Sequence, residues 1–132
     1  MNNIMTWFCR LLRVLVIVDF IVGLLALFFP NTTLRLFGLS PTDDITWTAC
    51  AGMMWLAIAL LICPAVKDPY RYHLTAKYAV VTRGLMALFF LILWPGRYVL
   101  LGVIDLILFL ILWLLFWLGS KEPHAEWQAT TT

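Results

Sequence analysis

The architecture this sequence predicts is all-α: an integral membrane bundle of four transmembrane helices with both termini in the cytoplasm. Three observations carry it. Of its 132 residues, 64% are hydrophobic and 12% charged, against roughly half and a quarter in soluble domains. The apolar residues gather into four runs, at about 7–29, 47–66, 74–94 and 98–118, each near the roughly 20 residues that a helix needs to cross a bilayer. Lys and Arg are also spread unequally over the connections between the runs. Residues 1–132 therefore read as a single transmembrane domain, of which 119–132 form a polar tail. No stretch is left for a soluble domain.

The first span follows Arg10 and Arg13 and could be mistaken for a signal peptide. Asp19 interrupts its apolar stretch, however, and no small-x-small cleavage site precedes Pro30, so it reads as a retained helix. Pro30 ends it, because proline cannot continue a helix interior. In the connection 31–44, Leu34, Leu36, Phe37 and Leu39 suggest a short segment lying in the membrane interface, with Arg35 turned to water. Asp43 or Asp44 then stands where it can cap the second span. "CPAVKDPYRYH" (63–73) reads as a short cytoplasmic turn marked by Pro64 and Pro69, its tyrosines and basic residues suited to an anionic lipid interface. "WPGRY" (94–98) reads as a tight outer turn, which makes neighbours of the third and fourth spans. In the tail, Trp127 is placed as a surface anchor.

"GLLALFF" (23–29) and "GLMALFF" (84–90) differ at one position and lie on spans that run in the same direction. This is the pattern of a duplicated helical hairpin, although the second members of the two halves do not match.

A net charge of +2 gives no ground for nucleic acid as a partner. The distribution is more telling. Arg10, Arg13, Lys67, Arg71, Lys77 and Lys121 fall on the side that holds both termini, and Arg35 and Arg97 on the other. That six-to-two bias places the termini in the cytoplasm. Cys9, Cys50 and Cys63 fall within or at the ends of spans, form no Cys-x-x-Cys motif, and read as small apolar fillers.

Catalytic chemistry finds no support. A b-type haem within the bilayer would want axial histidines inside the spans, and His73 and His124 lie at a helix edge and in the tail. There is no Glu-x-x-His pair for a di-iron site and no Ser-His-Asp or Cys-His arrangement. No catalytic residue, metal site or cofactor is expected, a quinone or lipid excepted. A channel is not expected either, since a monomer has too little polar lining.

The exception to the apolar pattern is a set of intramembrane charges: Asp19 on the first span, Arg83 on the third and Asp105 on the fourth. Counted from the estimated helix ends, all fall close to the middle of a core roughly 30 Å thick. Asp19 shares its stripe with Gly23 and Ala26, Arg83 with Ala76, Ala79 and Ala87, and Asp105 with Gly102 and Tyr98. Small residues let helices approach closely, so the charges point inward. Gly23, Gly102 and Tyr98 are candidates to line a pocket there. A lone charge at mid-bilayer costs roughly 2.5–3.5 kcal/mol on insertion scales. Arg83 therefore pairs with a carboxylate, most safely Asp105 across the hairpin, and Asp19 completes a set with one negative charge in excess.

Arg13, a glycine-containing helix ending at Pro30, "FGLSP" (37–41) and "GVIDLIL" (102–108) together resemble the DoxX-like superfamily, including BphX-like proteins, over most of 13–118. The resemblance implies a small multi-pass protein of the prokaryotic cytoplasmic (inner) membrane. It also implies one of two roles, since some relatives are membrane subunits of quinone-linked oxidoreductases and others accessory or assembly factors. No quinone site is matched residue by residue. Two expectations follow. The first is a non-catalytic accessory or assembly subunit within a larger membrane complex, partnered by other membrane subunits and the lipid bilayer. The second is a quinone- or lipid-binding component of an oxidoreductase, with Asp19, Arg83 and Asp105 lining the pocket.

Overall fold

A computed structural model of the chain describes residues 4–93, 96 and 99–121, with the backbone alone at Leu93. Its elements are α1 (Ile4–Phe28), α2 (Pro30–Leu36), α3 (Thr46–Lys67), α4 (His73–Leu88) continued by a π-helical turn (Phe89–Leu93), and α5 (Val99–Gly119). Among the described residues four helices are long and apolar enough to cross a membrane: Ile4–Phe28, Thr46–Lys67, His73–Ile92 and Val99–Gly119. This is a multi-pass membrane protein. The long helices follow from the solvent. A bilayer core offers no water to backbone amides, so each spanning segment must satisfy them internally.

Two compact units make up the chain, Met1–Arg13 with Pro64–Thr132, and Val14–Cys63. In the second unit, α1 is followed after one residue by α2. Phe29 leaves the helical region at φ −132°, and Pro30 occupies the first turn of α2, where its missing N–H would have had no partner. The Thr33 hydroxyl donates to the Phe29 carbonyl at 3.1 Å. Pro30 thus ends one helix, as expected, and also starts the next. Gly38, at φ +72°, closes α2 in the left-handed conformation that glycine adopts without cost; its N–H donates to Arg35 O and that of Leu39 to Leu34 O. Arg35 is exposed, and Phe37 stacks obliquely on Trp55 of α3 at 6.2 Å.

The loop into α3 is tied by its own side chains. Asn31 Oδ1 accepts the Thr42 N–H at 3.0 Å, Thr42 Oγ1 accepts the Asp44 N–H at 3.2 Å, and Asp44 Oδ1 accepts the Thr46 N–H at 3.0 Å. Of the two candidate capping carboxylates, Asp44 is therefore the one that takes an N–H of the first turn. Those hydrogen bonds from Thr46 hold its carboxyl below its ordinary pKa.

Within α1 and α3 of this unit the two helices meet at glycines. A Cβ on Gly52 would lie 2.8 Å from both Gly23 O and Leu27 N, and one on Gly23 would lie 2.9 Å from Leu56 Cγ. Only glycine permits this approach of backbone to backbone.

The first unit joins the start of α1, the end of α3, and the α4–α5 hairpin. Phe8 and Phe116 rings lie 5.4 Å apart, and Gly119 sits against Met5. In the connection before α4, Asp68 Oδ1 accepts the N–H groups of Tyr70 at 3.1 Å and Arg71 at 2.9 Å, and the Tyr70 hydroxyl donates to Gly119 O at 3.0 Å. The expected turn at 63–73 is shorter than the sequence suggested, because α3 runs on to Lys67 with Pro64 inside it. Pro64 removes one intrahelical bond in the last turn only. The Asp68 N–H then closes on Pro64 O at 3.3 Å.

The third span also departs from regular α geometry where a plain helix to Trp94 was expected. At Phe89–Leu93 it widens to a π turn. Gly96, at φ +117°, accepts the Val99 N–H at 3.2 Å and leads into α5. Trp94, Pro95, Arg97 and Tyr98 lie outside the described residues, as do residues 122–132 with Trp127 and His124.

Candidate intramembrane polar site

The site begins with α4 and α5. Along α4, Ala76, Ala79, Val80 and Ala87 are buried, and along α5, Gly102, Asp105 and Leu112. Apart from Val80 and Leu112 these are small or polar positions, and they recur at separations of three, four and seven residues, so each helix offers its partner one narrow face. The opposite side of α5 is exposed at Leu100, Ile107, Leu110 and Leu114, as its apolar character requires in lipid. Gly84 faces the Phe109 ring, and Gly102 faces Leu91, whose Cγ would lie 2.7 Å from a Cβ there. The π turn brings Phe90 and Leu91 onto Gly102, and the hairpin closes around them.

Next to these two glycine contacts lies the charge pair, with Arg83 adjoining Gly84 and Asp105 between Gly102 and Phe109. Arg83 Nη1 donates to Asp105 Oδ1 at 3.2 Å, with only 14% and 12% of the two side chains exposed. In an apolar medium neither charge is supported by solvent, so each offsets much of the other's desolvation. The pair also fixes the register of the hairpin, since sliding one helix by a turn would separate the ions by about 5.4 Å.

Asp19 belongs to the other unit. It is 6% exposed and lies on the buried face of α1 that also carries Gly23 and Ala26. Of the proposed pocket-lining residues, Gly23 and Gly102 are buried at close helix contacts, and Tyr98 lies outside the described residues. Among the described residues no group of His, Cys, Asp or Glu could hold a metal ion. The cysteines divide: Cys9 is buried, but Cys50 and Cys63 are exposed on α3 and are not the buried fillers expected. They face outward because α3 gives its inner face to Gly52, Ala59 and Ile62.

Two residues of structural consequence escaped the sequence reading. Gly52 stands in "AGMMW" and shows no periodic glycine pattern, so only the position of Gly23 opposite reveals its role. Asp68 precedes a proline in "DPYR", a pattern that signals a side chain folding back on the next backbone amides.

No family model, characterised protein or solved structure matches this chain.

Proposed function

We propose that this protein is a non-catalytic accessory or assembly subunit that packs within a larger membrane complex, in the cytoplasmic membrane of a prokaryote and with both termini in the cytoplasm. The observation that supports this most is the use made of Arg83 and Asp105. They are engaged with each other at 3.2 Å, next to glycines packed against neighbouring side chains, as a fastener for two helices would be. Large apolar surface is turned outward instead, for example Trp47 at 80%, Leu61 at 71% and Leu100 at 71% exposure. Side chains of this kind face lipid, and a neighbouring subunit can take the place of the lipid over part of that surface. The DoxX-like motifs, as an analogy of sequence, fit this role and the second reading below equally.

A second reading, a quinone- or lipid-binding component of an oxidoreductase, draws on Asp19, a carboxylate buried within a spanning helix, because such groups commonly mark functional sites. Extraction in mild detergent, followed by mass spectrometry of proteins and bound lipids, separates the two. A stoichiometric protein partner supports the accessory role. An isolated chain that retains a quinone supports the second.

A further inference from the structure

One end of the first unit concentrates positive charge. Arg10 and Arg13 of α1, Lys67 at the end of α3, Arg71 before α4, Lys77 in its first turns and Lys121 after α5 are all exposed. They share one end because Phe8 meets Phe116, Met5 meets Gly119, and the Tyr70 hydroxyl reaches Gly119 O. Among the described residues charge of the opposite sign is scarce there. Among the described residues of this unit the acids are Asp68 and Asp105. The Asp68 carboxylate is turned to its own backbone amides, and Asp105 faces Arg83 along the helices.

Three of the cations are placed by aromatic rings. The Arg10 guanidinium lies 5.1 Å from the Trp7 ring, that of Arg71 5.7 Å from Tyr72, and Lys121 Nζ 3.3 Å from Trp117. All three distances are within the reach of a cation–π contact. Exposed Trp and Tyr at a helix end settle at headgroup depth. Each ring therefore fixes its cation at the level of lipid phosphates and leaves its N–H donors facing outward. These come from three separate segments of the chain that meet at this end.

We propose that this end of the molecule is a binding surface for anionic phospholipid headgroups. Their phosphates accept from Arg10, Arg71 and Lys121, and Arg13, Lys67 and Lys77 add attraction at longer range. The proposal is independent of the accessory role.

The test uses the full chain in mild detergent and native mass spectrometry, with phosphatidylglycerol and phosphatidylcholine of identical acyl chains. Each basic residue at a membrane surface is worth about fivefold in affinity. The native chain is expected to retain phosphatidylglycerol preferentially, and the triple variant Arg10→Gln/Arg71→Gln/Lys121→Gln to lose that preference by up to about a hundredfold. Arg35→Gln, on α2 of the other unit, should leave it unchanged. The three single variants, each expected to fall about fivefold, decide the matter if the triple variant does not fold. Soluble glycerol phosphate should not compete, and competition would overturn the assignment to lipid. Equal retention of both lipids by the native chain, or a preference that survives the substitutions, would overturn the proposal.

Discussion

Replacing Arg83 by Leu leaves the Asp105 carboxylate in an apolar setting without its cation, at a position where 12% of the side chain is exposed. Breaking one side of a buried ion pair typically costs about 3–5 kcal/mol, because the remaining charge stays desolvated. Asp105→Leu strands the guanidinium in the same way. If the two acted independently, the double variant would lose about 6–10 kcal/mol, enough to unfold most domains. The pair geometry predicts otherwise. With both charges replaced by leucine neither member of the pair is left stranded by the loss of the other, and such replacements are often neutral or even stabilising by about 1–4 kcal/mol. The thermal midpoint and the folded fraction in detergent, measured for both singles and the double, give the coupling directly. Each single variant should be severely impaired and the double variant should recover most of the loss. A double variant as poor as the sum of the singles would refute the reasoning.

Three further outcomes follow from the structure. Gly52→Ala should destabilise by about 1–3 kcal/mol, more than Gly84→Ala, since the new methyl meets backbone atoms of α1 at 2.8 Å in the first case and the Phe109 ring at 3.0 Å in the second; equal thermal shifts would contradict this. Asp44 is held below its ordinary pKa by Thr46, so its contribution persists above the usual carboxylate range and is lost as pH falls through the lowered value. The protection of the Thr46 amide, relative to its intrinsic exchange rate at each pH, should fall there in the native chain but show no such step in Asp44→Asn. A reporter that works only in the cytoplasm should be active when fused after Thr132, and activity of a periplasmic reporter there would reverse the proposed orientation.

The spans were legible because hydropathy over about twenty residues reports directly on the cost of leaving water. Arg83 and Asp105 were legible as partners for a related reason: a tight turn forces their helices together, and counting residues from it gives similar depths. What hydropathy could not reveal is local helix geometry. "FFLIL" is apolar whether it winds as α or π, so the widened turn at Phe89–Leu93 and its fit over Gly102 appear only in three dimensions. Pro64 read as a turn because proline costs a hydrogen bond, yet at the last turn of α3 that cost is small enough to be absorbed. The outward direction of Cys50 and Cys63 depends on which face of α3 Gly52 claims, and a nearly uniform apolar helix does not announce it.

The account turns on the claim that Arg83 and Asp105 fasten helices and do not handle a ligand. The most direct measurement is therefore the charge-reversed double variant, Arg83→Asp with Asp105→Arg, assayed for folded yield and for the proteins and lipids that co-purify with it. A fastener is indifferent to which helix carries the cation. The account predicts that the swap folds better than either single substitution and keeps the native partner. A swapped chain that folds as well as the native one but loses a bound quinone or lipid that the native chain retains would contradict it.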